Sequence, residues 1–451
     1  MSDTIEHPYL VENYAPVDVE ITAFDLPVTG TIPEALNGLL ARNGPNPYGP
    51  VGADHHWFLG HAMVHGLRVR GGRAEWYRNR WVRTDGLARV GPFEAAPSAS
   101  VRAPIAAVAG VNVVSHAGRL LSLGEVGLPW ELDHELSTVR EVDFDGRMAS
   151  NFTAHPKFDP ATGEMVAFGY DFGPQIGART HVFDASGVLV HSEDIEVRPS
   201  MMHDAGVTAT RTVLMDLPVL FDLGVLSTGR QMPFGWTPDA GARLGVLPRR
   251  GTSAEVTWID IDPCYVFHVV NAHDERAGDS TSRIVMDVVR YDSMFDANLL
   301  GPDETRPGTT VRWEIDPVTR SVSETVLDDR PVEFPRVDPR VETRPHRFSY
   351  AAILTGHRFD TSGLLGRDHG DGSVSVWEAG GGRMPGEPVF VPSSAESAEG
   401  DGWLLSVVFD PSTQRSDVVI IDAQDLAAGP VATVHLPVRV PYGFHGSWVP
   451  A

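Results

Sequence analysis

The feature that most limits what this chain can fold into is a unit that recurs along it: a short strand-like run, an acidic turn and a second short run. It occurs at Phe158–Val166 as Phe-Asp-Pro-Ala-Thr-Gly-Glu-Met-Val, at Val182–Val190 as Val-Phe-Asp-Ala-Ser-Gly-Val-Leu-Val, and at Trp313–Val322 as Trp-Glu-Ile-Asp-Pro-Val-Thr-Arg-Ser-Val. Asp-Pro and Ser-Gly pairs start turns, by side-chain hydrogen bonding and by permitting positive φ. Further β-branched runs bounded by Asp, Gly or Pro predict strands over Thr212–Pro218, Arg283–Tyr291, Gly402–Asp410 and Asp417–Asp422. Nothing helical of 10–15 residues separates these runs, so the pattern is antiparallel hairpins and not βαβ units. Length alone would suggest two or three domains for 451 residues. A propeller removes that conflict, because it repeats a small sheet around an axis and lets one all-β domain run from 1 to 451.

No linker interrupts the pattern. Ser393–Gly402 is polar and short, and lies between two apolar strands, as a loop would. Leu217–Trp236 is apolar and poorly periodic, with Phe221, Phe234 and Trp236 among its side chains. It suits a helical turn packed over one face, or the rim of an apolar substrate tunnel.

The only cysteine, Cys264, allows no internal disulfide and no thiolate-rich metal site, which fits a reducing, cytoplasmic setting. The segment Met1–Glu20 carries five acids and no Lys or Arg, the opposite of a signal or transit peptide. No run approaches the roughly 18 apolar residues of a membrane-crossing helix. A net charge of −24 repels phosphate backbones and excludes nucleic acid as a partner. It also disfavours electrostatic attachment to anionic lipid, while leaving peripheral, apolar dipping into a membrane open. Oligomeric state has no signature in the chain. Lys157 is the sole lysine among 36 basic residues, and biased codon usage would suffice to explain that.

Eighteen histidines are many for this length. His55, His56, His134, His181, His191, His357, His369 and His435 sit in polar or turn-rich contexts, where surface or capping roles are expected. Four others lie at the edges of apolar runs: Ala154-His155-Pro156, Met202-His203-Asp204, Phe267-His268-Val269 and Phe444-His445-Gly446. A buried imidazole must satisfy its nitrogens or bind something. Separations of 48, 65 and 177 residues would put the four on different blades of a propeller, converging on its axis. One such histidine alone is more often a satisfied core residue than a ligand.

Around these histidines the chain resembles the carotenoid cleavage oxygenases along nearly its whole length. Asn37–Pro47 and Trp57–Gly66 resemble the family's opening blade. Ala154–Pro160, Met202–Asp204, Phe267–Ala272 and Gly443–Trp448 resemble its four iron-ligand motifs, in order. Glu387–Pro392, followed by Glu399–Val408, resembles its late signature. The resemblance implies a seven-bladed β-propeller, its iron-bearing face capped by short helices and loops, with one Fe(II) per chain held by His155, His203, His268 and His445. Neutral imidazoles suit Fe(II) and leave its full charge to polarise O₂. The family places three glutamates behind the ligands, and the matching positions are Glu125, Glu333 and Glu387. Such carboxylates hold the outer imidazole proton and raise ligand basicity. His273, five residues from His268, would point to the opposite face of a strand and is expected to lie outside the site. Two departures stand out: His61, where the family usually has an acid, and Val111, where relatives often carry threonine near the iron's open side.

The resemblance further implies oxidative cleavage of a conjugated C=C bond by O₂ into two carbonyl products, with no side-chain nucleophile or general base beyond the iron ligands. Stilbene-cleaving members typically carry a lysine just before the first of the three glutamates; here that residue is Gly124. An apolar polyene, carotenoid or apocarotenoid, is therefore the expected substrate, in a tunnel expected to use Val111, Phe221, Phe234, Trp236 and Phe444. A stilbene-type substrate, a retinoid-type isomerohydrolase and a non-catalytic binding propeller are the alternatives.

Overall fold

The computed structural model describes residues 7–98, 109–148, 150–170, 177–228, 232–277, 281–296, 301–302 and 308–451. Seven antiparallel sheets of four or more strands form the blades of a propeller, with an eighth, two-stranded sheet as an insertion. Blade 2 begins at Asn112–His116, blade 3 at Lys157–Phe158, blade 4 at Gly206–Val207, blade 5 at Tyr265–Ala277 and blade 6 at Val332–Arg336. In each of these the first strand is innermost, and the following strands step outward.

Blades 1 and 7 close the ring. Blade 1 takes Gly38–Pro45, Ala62–Arg70 and Arg73–Trp81 in sequence, with Thr22–Phe24 added outside and Gly446–Pro450 added inside. Blade 7 has Met384–Pro385 and Val389–Pro392 inside, then Gly402–Asp410, Arg415–Asp422 and Pro430–His435, and Val28–Gly30 outermost. The amino-terminal stretch thus serves both flanking blades, and the last strand is hydrogen-bonded to Gly38–Pro45 from Gly38↔Pro450 to Arg42↔Gly446. This double closure has no counterpart in the hairpin pattern, because Val28–Gly30 carries no apolar alternation of its own.

Blades pack face to face, so middle strands lose both faces to neighbours and read as apolar runs without alternation. Met165–Tyr170 is buried throughout, and Gly402–Asp410 is buried at every position but Trp403 and Asp410. Outer strands meet water on their free edge: Ser321–Asp328 is largely exposed and carries Glu324. Charges there guard the edge against pairing with another chain. The predicted hairpin at Val182–Val190 forms as expected, with Asp184 Oδ1 accepting the amides of Ser186 and Val188 and Gly187 supplying φ +82°.

Residues 217–236 form the insertion. Val219–Phe221 pairs with Phe234–Trp236, and a short helix, Leu223–Ser227, lies between them. Among the described residues only one other α-helix occurs, Asp85–Val90, and no helix is long and apolar enough to cross a membrane.

Candidate metal centre

The innermost strands aim their side chains at the axis, and local irregularities do the aiming. His155 and His203 precede the first strands of blades 3 and 4, and His445 precedes the inner strand of blade 1. His268 lies inside a strand whose register slips between Val266 and Val269, a bulge that redirects a side chain. Glu333 sits at another register shift, followed by Phe334 at φ +55°, a left-handed conformation unusual for a bulky residue. Glu387 occupies the break between the two short inner strands of blade 7.

Main-chain bonds fix these turns. His445 donates its amide to the Val111 carbonyl at 3.0 Å and accepts from Asn43 N at 2.9 Å. The Asn112 side-chain amide donates to the Ala154 carbonyl at 2.8 Å, and His155 N donates to Thr153 Oγ1 at 2.9 Å.

The four histidines come together, all buried, with one ring nitrogen of each within 4.8 Å of the others. His268 Nε2 stands 3.2 Å from His203 Nε2 and 3.1 Å from His445 Nε2. On the outer side, His203 Nδ1 meets Glu125, His268 Nδ1 meets Glu333, and His445 Nδ1 meets Glu387 Oε1 at 2.7 Å. A carboxylate behind Nδ1 holds the proton there and leaves the Nε2 lone pair bare. Three bare lone pairs aimed at one point repel unless a cation sits between them. His155 Nε2 adds a fourth: it is buried with no protein partner.

Each carboxylate is held in its own way. Glu125 accepts from the Tyr170 hydroxyl at 2.8 Å. Glu333 accepts from Tyr291 Oη and Phe334 N, both at 2.7 Å. Glu387 accepts two bonds from Arg336, at 2.8 and 2.9 Å, and one from Gly446 N at 2.8 Å. Three carboxylates against one guanidinium leave two negative charges around four imidazoles. Buried uncompensated charge costs several kcal/mol per ion, and a divalent cation would cancel this one. The donor set therefore fits a divalent metal bound by neutral nitrogen. Burial, reinforced by the neighbouring imidazoles, pushes His155 far below its ordinary range. Burial takes His445 down to about 4 against the pull of Glu387, whereas contact with Glu125 outweighs burial at His203 and raises it.

A cavity of about 120 Å³ opens onto this cluster. Val111, Phe221, Phe234 and Phe444 line it together with His203, His268 and His445; Trp236 does not, and packs half-buried against the apolar core instead. Strand parity does not account for this, since alternation puts Phe234 and Trp236 on the same face of Phe234–Trp236. Trp57, Phe58, Phe267, Phe334 and Phe359 complete the wall and were not singled out in the sequence. Phe267 and Phe334 had a signal, since each adjoins a site residue. Arg336, three residues past Glu333, had one too.

His273 lies outside the cluster, its ring 6.5 Å from His346. Asp287, His346 and His369 form a second group between blades 5 and 6. Arg312 already holds both oxygens of Asp287 at 2.8 Å, so a cation is present there as guanidinium. Of the surface or capping roles expected of His55, His56 and His181, the surface role does not hold, since all three are buried, while His56 does cap locally by accepting Phe58 N at 3.1 Å. His181 bridges Ser150 and Ser192 at 3.0 Å each; Ser192 is its cross-strand partner in the same hairpin, and Ser150 lies in the loop before blade 3. His61 accepts from Tyr48 N at 3.0 Å, a purely local bond in blade 1.

Residues 14–450 match the family described as retinal pigment epithelial membrane protein. A carotenoid cleavage oxygenase of Mycobacterium tuberculosis is 40% identical, over 99% of this chain and 98% of that protein. The crystal structure of a Pseudomonas brassicacearum lignostilbene dioxygenase superposes with a TM-score of 0.88 at 29% identity, covering 98% of each chain. A cobalt-substituted apocarotenoid oxygenase of Synechocystis superposes at 0.86 and 28% identity, again over 98% of each.

Proposed function

This chain belongs to the retinal pigment epithelial membrane protein family, that of the carotenoid cleavage oxygenases, and is an oxygenase; from that premise we propose that it is an Fe(II)-dependent dioxygenase. It cleaves a conjugated C=C bond of a carotenoid or apocarotenoid with O₂ into two aldehyde or ketone products. The observation that carries the proposal is the set of bare imidazole nitrogens converging at the end of an apolar cavity. His155, His203, His268 and His445 would hold the iron; Glu125, Glu333 and Glu387 would keep three of them in the ligating tautomer. Bound Fe(II) supplies O₂ activation, which no side chain can.

The remaining work is positioning. Trp57 stacks on Tyr442 with ring centroids 5.6 Å apart and packs tilted against Phe444 at 4.8 Å, so this part of the wall is an interlocked aromatic cluster. Such a wall holds a flat polyene in a reactive pose and excludes water from the reacting bond. Among the described residues the titratable groups of the lining are the histidines, Glu125 and the Tyr170 hydroxyl that donates to it. No general acid or base is required of them. Leu223, 71% exposed on the helix that follows Phe221, supports substrate collection at a membrane surface.

The likeness to lignostilbene dioxygenase favours a second reading, a stilbene or related phenylpropanoid as substrate. Against it, among the described residues the cavity lining contains no lysine or arginine to hold a phenolate. Aerobic incubation of the Fe(II)-loaded chain with β-carotene, an apocarotenal and a hydroxystilbene, with products read by mass, decides between them. Polyene cleavage is expected; cleavage of the stilbene alone would overturn the preference, and cleavage of none would favour a binding propeller.

A further inference from the structure

The sole lysine takes no part in the cavity wall, yet it lies two residues past one metal-ligand candidate. Lys157 Nζ stands 2.9 Å from Asp204 Oδ1 and 3.0 Å from Oδ2. Asp204 is 1% exposed, and its two oxygens also accept Ala205 N at 2.7 Å and Val269 N at 2.8 Å. The donors come from three blades. Lys157 follows His155 by two residues, Ala205 follows His203 by two, and Val269 follows His268 by one. One buried carboxylate therefore ties together the chain segments that carry three of the four histidines. The fourth is tied separately: Glu387 takes both His445 Nδ1 and Gly446 N, and Arg336 donates to the Gly446 carbonyl at 2.6 Å.

We propose that Lys157 and Asp204 are positioning residues, a brace across the propeller axis that sets the spacing of His155, His203 and His268 without touching metal or substrate. The inference rests on the metal reading above. Its physical logic is that a buried ion pair is a weak stabiliser, often replaceable by apolar groups at no loss, and is better understood as fixing one arrangement. An ammonium on a flexible four-carbon stem suits the task, since it offers three donors from a compact charge. A second carboxylate flanks it: Glu342 accepts from Phe158 N at 3.1 Å, beside the lysine.

The test uses the full chain, titrated anaerobically with Co²⁺, whose d–d absorption reports ligand geometry. Lys157→Met should raise the Co²⁺ dissociation constant about tenfold, the lower end of what outer-sphere changes cause, and shift the d–d bands. The unfolding midpoint of the metal-free chain should fall, since Asp204 keeps a buried charge without its cation, so the band positions and not the midpoint carry the test. Asp204→Asn should do the same, with a larger band shift because the acceptor itself is altered. Should Lys157→Met not fold, Lys157→Arg carries the test, since its planar fork keeps the charge but changes the span; shifted bands are again expected. Parental bands in the folded variants would overturn the brace, including the case where affinity falls only in step with lost stability. A parent chain that takes up no Co²⁺ would refute the metal reading instead.

Discussion

Glu387 and Glu333 stand behind two neighbouring histidines, yet their replacement by glutamine should have different consequences, because only one of them has a fixed cation. In Glu387→Gln the shape is kept and the charge is lost. Four donors converge on this carboxylate: His445 Nδ1, Gly446 N and two nitrogens of Arg336. An amide offers one accepting oxygen, so at least one pair of donors is left facing an NH₂ group. Breaking a fully buried ion pair costs about 3–5 kcal/mol. Here Glu387 is 3% exposed but Arg336 is 31% exposed, so solvent reduces this to about 2 kcal/mol. Glu333→Gln strands no cation, since its partners are Tyr291 Oη, Phe334 N and an imidazole. It should cost the metal-free chain about 1 kcal/mol at most, the worth of an ordinary hydrogen bond. Both variants should lose roughly 10–100-fold in metal affinity, because each removes the charge that holds a ligand's outer proton. Urea unfolding of the metal-free chains, paired with anaerobic Co²⁺ titration, separates the two quantities. Equal stability losses would refute the role given to Arg336, and parental affinity in both would refute the role given to the carboxylates.

Two further outcomes follow from the same geometry. Replacing His203 or His445 by alanine should abolish metal retention, since each supplies one of the converging nitrogens; near-stoichiometric metal in either purified variant would remove that residue from the ligand set. Burial pushes His56, His65 and His181 down to about 3, against about 6.5 in the unfolded chain. These depressed values favour the neutral folded form, so unfolding takes up protons below pH 6.5. Their contribution is full above that pH and is lost as pH falls toward the folded values. With three such groups the stability should fall by about 4 kcal/mol per pH unit between about pH 5 and 4; an unfolding midpoint flat across that range would contradict their burial as neutral rings.

The residues with chemistry were legible in the sequence because each ligand is embedded in a short motif whose neighbours also matter. Pro156 and Lys157 follow one histidine, Asp204 another, and Phe267 precedes a third; the structure gives Asp204, Lys157 and Phe267 contacts at or beside the cluster. The hairpins were legible for a different reason, since an acidic turn between β-branched runs has one local solution. Burial of an isolated histidine was not legible. His181 pairs across its own hairpin with Ser192, but it is also met by Ser150 from the loop before blade 3, and nothing near position 181 announces that second contact. Nor was the placement of Trp236, which lies outside the cavity lining although it shares a strand face with Phe234.

The order in which the ring is joined bears on when the site can exist. His445 immediately precedes Gly446–Pro450, the strand that completes blade 1 by pairing with Gly38–Pro45. During synthesis the first blade must therefore wait, its inner edge open, until all the others have been made. A chain that has folded six blades holds three histidines and no fourth. Full coordination arrives with the same event that seals the circle, so metal captured by four nitrogens would act as a latch on finished molecules and offer little to unfinished ones.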